Sequence, residues 1–537
     1  MTTYDRPERA RADIAEGRTA LGIELGSTRI KASLVGPDGA TLAEGSHEWE
    51  NRFVDRMWTY PLEDVWSGLQ ACFAALAADV RRRHDVALER VGALGVSAMM
   101  HGYLAFDASG ELLVPFRTWR NTTTGPAAAR LSELFDFNIP LRWSIAHLYQ
   151  AILDGEPHVP QVASFTTLAG YVHRALTGQH VLGVGDASGM FPIDPATRAY
   201  DARMLDAFDE LVATEHGDLG LPPLADLLPS VLVAGQEAGR LTEDGARLLD
   251  PTGTLRAGAP LCPPEGDAGT GMVATNAVAP RTGNVSVGTS IFAMVVLERA
   301  LAHRHHELDV VTTPAGDAVA MVHCNNGASE LGEWAGVFGR FAQALGHPSE
   351  PDAVFGALLR EALEGEPDGG GLVSYNYLSG EPITGLEEGR PLIVRTPDSR
   401  LTLANFMRTQ VYGAFATLSL GMRVLAGEGV GLDVLAAHGG LFRTAGVAQR
   451  LLAAAVDAPV AVARTASEGG PWGMAVLAGY LLHGQGEDLG AYLTERVFAG
   501  AEVDVVEPDA GDVAGYAAYL ERYEAGLAAE RAATQAL

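Results

Sequence analysis

Two short stretches, far apart in the chain, follow one pattern, and that repetition constrains the fold more than any other feature of the sequence. Ile23-Glu24-Leu25-Gly26-Ser27-Thr28-Arg29 and Val285-Ser286-Val287-Gly288-Thr289-Ser290-Ile291 each read as strand, one polar residue, an apolar residue, glycine, two hydroxyls, strand. A chain that uses one hairpin twice at this separation is expected to consist of two related halves. The length agrees, because 537 residues exceed what one hydrophobic core accommodates, and two domains of roughly 200 to 280 residues are the natural expectation. The expected organisation is an N-terminal extension over 1–18, a first domain over 19–275 and a second over 276–537.

The segments around each hairpin point to an α/β plan. "TALGIEL", "IKASLVG" and "TLAEGSHEWE" are broken by "GST" and "PDG", which is turn chemistry, and read as a three-stranded antiparallel meander. From Leu62 to Val86 the period becomes helical, with Val65, Leu69, Phe73, Leu76 and Val80 on one face, before "VGALGVSA" returns to a buried strand. Residues 103–260 are mixed, with helical patterns such as "LAGYVHRALTG" ending in a capping glycine. The second half closes with "LDVLAAHGG" (strand, two glycines), "TAGVAQRLLAAAVD" (helix, Thr444 as N-cap), "PVAVAR" (strand) and "EGGPWGMAVLAGYLLHG" (a buried, Ala-rich helix).

Composition narrows the partners. Apolar residues make up 47% and charged residues 20% of the chain, a globular balance. Against 38 Lys and Arg stand 67 Asp and Glu, and the resulting charge of −29 repels nucleic acid and acidic membrane surfaces. The one dense basic run, Arg81 to His84, falls at the end of a helical pattern, where solvated C-terminal charges are expected. Cys72, Cys262 and Cys324 are odd in number and widely spaced, which indicates a reduced compartment and no structural zinc. The charged opening residues and the lack of an apolar run of about 18 residues predict a cytoplasmic protein without a membrane span.

The hairpins suggest the chemistry. A glycine followed by two hydroxyls directs N–H and O–H groups into one concavity, so Gly26, Ser27 and Thr28, and Gly288 with Thr289, are candidates for holding phosphate oxygens without a lysine. Glu24 lies beside the first loop, where a carboxylate would repel phosphate unless Mg²⁺ lay between them, so Glu24 is the candidate metal-holding residue. Asp267, in "PPEGDAGTGM" at the junction of the halves, could accept a proton from a substrate hydroxyl. Met100, His101, Trp119 and Asn121 follow a buried strand and could line a sugar pocket. No G-x-x-x-x-G-K-[ST] loop occurs, "GVGDASG" has the wrong spacing for a dinucleotide loop, "HRHHE" at His303 to Glu307 reads as a polar loop, and "GVSAM" lacks the second glycine of a nucleophile elbow.

"GIELGSTRIKASLV", "GVSAMMHGYLAFDASGELLVPFRTWRN", "GDASGMFPIDPATRAYDARML", "PEGDAGTGM", "NVSVGTS", "LAAHGGLFRT" and "EGGPWGMAVLAGY", in this order, resemble the FGGY carbohydrate kinases over about Leu21 to His483. The resemblance implies two actin-like (ribonuclease H-like) α/β domains, with ATP and a sugar in a cleft between them. It further implies Asp267 as the general base, Gly26, Ser27, Thr28, Gly288 and Thr289 as phosphate loops, and Gly439 and Gly440, with Arg443 near them, against the adenosine. Met100 and His101 correspond to the Met-His-Gly sugar contact of xylulokinase-like members, and Trp119 to the tryptophan of their W-x-D-x-R stretch. Two departures stand out. Glu24 replaces the usual Asp of the first strand, and "WRNTT" carries Asn121 for the acid and Thr123 for the arginine, a stretch also similar to the W-K-D-H-T style of ribulokinases.

The function expected is ATP- and Mg²⁺-dependent phosphorylation of a ketopentose, D-xylulose first, with L-ribulose or another sugar or polyol as the alternative. A nucleotide-driven switch of the actin or Hsp70 kind would need no sugar-lined pocket, and "MMHGY" with "TWRN" argues against it; Asp267 argues against a sensor that only binds sugar. Sugar and ATP are the expected partners, and a homodimer stays open.

Overall fold

In the computed structural model, which describes residues 7–463, 469–484 and 486–536, the expected meander forms as β1 (Ala20–Leu25), β2 (Arg29–Val35) and β3 (Thr41–Glu48). Helix α1 (Leu62–His84) lies over it and buries Val65, Leu69, Cys72, Phe73, Leu76 and Val80, the face set by the helical period. The helix comes so close to β3 that a Cβ at Gly45 would lie 2.6 Å from the Leu76 nitrogen. Arg81, Arg82 and Arg83 are exposed at its end, where Asp85 closes the helix with φ +51°.

Strand β4 (Ala93–Ala98) runs parallel to β1, and β5 (Glu265–Gly266) runs parallel to β4, giving the order β5-β4-β1-β2-β3. Helix α2 (Asp267–Ala274) starts directly where β5 ends. The carboxyl ends of three parallel strands therefore deliver Gly26, Met100 and Asp267 to one edge of the sheet, the edge where open α/β sheets bind ligands. The Gly469–His483 helix, fully buried from Pro471 to Tyr480, packs on β1, β4 and α2. Its approach to β1 is again set by glycine: a Cβ at Gly22 would lie 2.9 Å from the Met474 carbonyl carbon.

Between β4 and β5 the chain builds short strands and helices, among them Leu168–Thr177, which Thr167 caps through the Gly170 N–H and Gly178 ends at φ +77°. The Pro7–Ala15 helix places Ala10 and Ile14 in the same core as β1, β2 and α1, so this part of the extension belongs to the folded body.

In the second half, β6 (Thr282–Val287) and β7 (Ile291–Val296) form an antiparallel hairpin. There follow β8 (Ala318–Cys324), α3 (Ser329–Ala344), α4 (Leu403–Gly427), β9 (Val434–Gly439), α5 (Val447–Val456), β10 (Val460–Ala463), β11 (Val503–Val506) and α6 (Ala510–Ala536). Six of the seven strands of this sheet lie in the order β8-β7-β6-β9-β10-β11, with β9 parallel to β6. Each half thus has a hairpin whose first strand is flanked on its other side by a parallel strand.

The repeat differs from the sequence match in one respect. Leu25 faces Ile30 across the first turn, whereas Val287 faces Ile291 across the second, so the second loop is one residue shorter and Ile291 corresponds to Ile30, not to Arg29. Thr444 is also not an N-cap: a turn of 3-10 helix over Gly440–Arg443 intervenes, and α5 starts after Gly446 at φ +78°. Arg464, expected at a strand end, Glu468, expected at a helix start, and residues 1–6 of the extension lie outside the described residues.

The chain clusters into two compact units, one of residues 1–279, 310–319 and 467–501, the other of 280–309, 320–466 and 502–537. A single cut near residue 275 does not carry this return of the chain. The second unit is braced by a buried ion pair, Arg408 to Asp512 at 3.2 Å, with Arg450 on the other oxygen of Asp512 at 2.6 Å. Among the described residues no helix is long and apolar enough to cross a membrane.

Candidate active site

In the first unit, Glu24 sits near the end of β1, opposite Lys31 on β2 and Ser97 on β4. Burial pushes its carboxyl up to about 7, Asp267 adds to the rise and Lys31 opposes it. The carboxylate occupies space that exists because residue 470 has no side chain, since a Cβ there would lie 2.7 Å from the Glu24 carboxyl carbon. In the loop that follows, every carbonyl is turned inward. Trp49 donates its indole N–H to Gly26 O at 2.7 Å and its backbone N–H to Thr28 O at 3.1 Å, while Tyr60 donates its hydroxyl to Ser27 O at 2.6 Å. The Gly26 N–H closes the turn on Arg29 O at 3.0 Å, which leaves the Ser27 and Thr28 N–H and hydroxyl groups to offer an anion.

Asp267 is the first residue of α2 and half-buried, and its Oδ1 accepts the Met100 N–H at 3.1 Å. Burial raises its carboxyl above the ordinary range, while the N–H groups of Met100 and Ala268 oppose the rise. The next residue, His101, holds φ +71°, with Nδ1 3.2 Å from Gly189 O and its ring stacked on Trp143 at 6.4 Å. Gly189 is required there, because a Cβ would lie 2.6 Å from His101 Nδ1 and 2.7 Å from Met100 Cε. Glu24, Asp267, Met100 and His101 are thus joined in one neighbourhood.

Trp119 is partly buried against the core of the first unit, with the Arg120 guanidinium 6.0 Å from its ring and 4.1 Å from that of Trp58. Asn121 is buried, and its amide is committed to the backbone. It donates to Trp58 O at 2.8 Å and Thr118 O at 3.1 Å, and accepts from Trp58 N at 2.8 Å. The structure does not link Trp119 or Asn121 to Asp267 by any described contact, and Asn121 as folded has a bracing role.

Two acids that sequence reasoning passed over complete this neighbourhood. Asp186 accepts the Thr167 hydroxyl at 2.6 Å, and its own N–H donates to Glu265 Oε2 at 2.9 Å. Burial pushes Asp186 up to about 7, and Glu265 is held well above the carboxylate range by burial and by Asp186. Among the described residues, each keeps one buried oxygen without a hydrogen-bond partner. The signal lay in "GVGDASG": its glycines accommodate Glu265, since a Cβ at Gly183 or Gly185 would lie 2.5 or 3.2 Å from the Glu265 carboxyl carbon.

In the second unit, Gly288 and Thr289 form the turn between β6 and β7, with the Gly288 N–H donating to Ser290 O at 3.0 Å. Gly439 ends β9 at φ +118°, where a Cβ would lie 3.0 Å from the Val287 carbonyl carbon, so the glycine pair starts against the end of β6. Gly440 and Arg443 belong to the 3-10 turn that follows. Gly439 and Gly288 are brought together by the β6–β9 pairing.

Two halves with matching sheet plans, both carrying glycine turns at strand ends, define a two-domain actin-like α/β protein. The N-terminal domain of the FGGY family of carbohydrate kinases matches residues 19–252 and the C-terminal domain matches residues 283–482; the chain belongs to this family. Among curated proteins it is 27% identical over 294 residues to a xylulose kinase of Streptomyces rubiginosus, covering 52% of each chain. It is 24% identical over 289 residues to a xylulose kinase of Escherichia coli, covering 52% of this chain and 55% of that one. The chain therefore spans about half the length of the curated relatives it matches. Among solved structures it resembles a xylulose kinase of Rhodospirillum rubrum, with TM-score 0.76, 19% identity, and 95% and 99% of the two chains covered. It resembles a gluconate kinase of Lactobacillus acidophilus equally, with TM-score 0.76, 17% identity, and 95% and 98% covered. At these identities the likeness is one of fold, shared by kinases named for different sugars.

Proposed function

We propose that the protein transfers the γ-phosphoryl group of ATP to a hydroxyl of a ketopentose, D-xylulose first, giving the 5-phosphate. Asp267 carries the reading. It is a half-buried carboxylate at the carboxyl ends of the parallel strands β1, β4 and β5, with one oxygen fixed by the Met100 N–H and a raised proton affinity that suits a general base. The xylulose kinases among the curated relatives support this sugar class. L-Ribulose is the second reading, because Asn121 and Thr123 stand where xylulokinase-like members carry an acid and an arginine.

The reaction follows from positioning and charge. A sugar hydroxyl gives its proton to Asp267, its oxygen bonds to the γ-phosphorus, and the bond from that phosphorus to the bridging oxygen breaks so that ADP leaves. Gly26 and Gly288 close the two turns with their own N–H groups, the Ser27, Thr28 and Thr289 N–H and hydroxyl groups hold phosphate oxygens, and Gly439, Gly440 and Arg443 receive the adenosine. Met100 and His101 contact the sugar, and Trp119 and Asn121 shape the neighbouring wall through Trp58. Mg²⁺, when bound, neutralises phosphate charge, and Glu24 would hold it directly or through water. The donor chemistry fits: Glu24 offers one carboxylate near the end of β1, and Mg²⁺ ordinarily takes one or two carboxylates and completes its shell with phosphates and water.

ADP release with Mg-ATP over ketopentoses, ketohexoses, glycerol and pentitols tests the reading. D-Xylulose is expected to give the highest kcat/KM. If no sugar raises turnover above the rate with ATP alone, the protein is not a sugar kinase.

A further inference from the structure

The second glycine turn owes its shape to a buried layer behind it. The Gly327 N–H donates to Thr289 O at 2.7 Å and the Ala328 N–H to Gly288 O at 2.8 Å, so both carbonyls of the proposed phosphate loop are drawn onto the turn at 326–328. Residue 327 must be glycine, because a Cβ would lie 2.9 Å from Thr289 O. The arrangement parallels the first loop, whose carbonyls are held by Trp49 and Tyr60, but it uses backbone in place of aromatic side chains.

That backing turn is in turn held from behind. Asn376 Nδ2 donates to Gly327 O at 2.7 Å and to Asn326 O at 3.2 Å. Asn326 Oδ1 accepts from the backbone N–H groups of Leu378 at 2.9 Å and Ser379 at 3.0 Å. Its Nδ2 donates to Ser379 O at 3.1 Å and to Glu381 Oε2 at 3.2 Å, and its own N–H reaches the same Glu381 oxygen at 3.3 Å. Glu381 is wholly buried, and among the described residues its Oε1 has no hydrogen-bond partner. Burying a carboxyl is costly unless it is hydrogen-bonded, and the two Asn326 donors on Oε2 offset part of that cost while tying the turn to Glu381.

We infer that Glu381 is a positioning residue for the nucleotide: through Asn326 it fixes the Asn326–Ala328 turn, and that turn sets the direction in which the Gly288–Thr289 loop presents the Thr289 N–H and hydroxyl. The inference rests on the proposal that this loop holds nucleotide phosphate. Glu381 touches no reacting atom; it acts through two layers of hydrogen bonds, so its loss should weaken nucleotide binding and leave sugar binding alone.

The test compares Glu381→Leu, which removes the acceptor at similar volume, with Glu381→Gln, which keeps an acceptor oxygen. KM is measured for ATP at saturating sugar and for sugar at saturating ATP, Mg-ADP binding is measured by calorimetry, and folding is checked by thermal melting. Glu381→Leu is expected to raise the ATP KM and the Mg-ADP Kd about fivefold or more, with the sugar KM within about twofold of wild type and Glu381→Gln restoring most of the loss. If Glu381→Leu does not fold, Asn376→Ala is held to the same expectation. A folded variant with unchanged Mg-ADP Kd, or with both KM values rising together, overturns the inference while leaving the kinase reading intact. Wild-type protein that binds no Mg-ADP overturns both.

Discussion

Replacing Gly470 with alanine separates stability from chemistry. The backbone of residue 470 is outside the left-handed region, so alanine is accepted without strain, and in the first turn of the Gly469–His483 helix it should stabilise by about 1 kcal/mol or less. The new Cβ, however, would lie 2.7 Å from the Glu24 carboxyl carbon. Carbon contacts settle near 3.5 to 4.0 Å, so the carboxylate must withdraw by roughly 1 Å. A displacement of that size in a positioned group costs about 10- to 100-fold in rate. Gly470→Ala is therefore expected to melt at or slightly above the wild-type temperature, to require more Mg²⁺ for half-maximal rate, and to lose about 10- to 100-fold in kcat/KM. The assay is ADP release titrated with Mg²⁺, beside a thermal melt. A variant with the wild-type Mg²⁺ titration and turnover would show that the position of the Glu24 carboxylate does not matter to the reaction.

Three further expectations follow from the same geometry. Asp267→Asn should lose about 10²-fold or more in kcat while still binding sugar, as read by single-turnover kinetics and calorimetry. Asp512→Ala leaves Arg408 buried without its partner and should destabilise the protein by about 3 kcal/mol, measured by urea unfolding; a loss under about 1 kcal/mol would mean that water reaches the site. Burial raises Asp186 up to about 7, with the Thr167 hydroxyl opposing, so the folded state holds this proton more tightly than the unfolded chain. Its contribution is complete below about pH 4 and is lost as pH rises through about 7, at up to roughly 1.4 kcal/mol per pH unit. Asp186→Asn should make the fall in stability over that window shallower in urea titrations, and an unchanged slope would assign it to other groups.

The repeated hairpin was legible because its residues act locally: glycine, hydroxyls and flanking apolar alternation specify a turn wherever they occur. Glu24 and Asp267 were legible for a related reason, as acids in apolar or glycine-rich stretches need an explanation. Asp186 and Glu265 were not, because what makes them notable is each other: 79 residues apart, they meet through the Asp186 N–H. Asn121 shows what order along the chain does not carry. Its place in a sugar-contact stretch was readable, but the bonds of its amide to Trp58 were not, because they depend on a strand 63 residues earlier.

By itself, the sequence determined two α/β halves, the strand-end turns and the acids beside them, since periodicity and turn chemistry are properties of neighbouring residues. Only the tertiary structure decided that the Gly469–His483 helix returns to the first unit and clears space for Glu24, that the second loop is one residue shorter than the first, and that Glu381 stands behind it. Those facts depend on which backbone lies against which, and one-dimensional order does not carry the distance between a glycine and the carboxylate that needs its empty side.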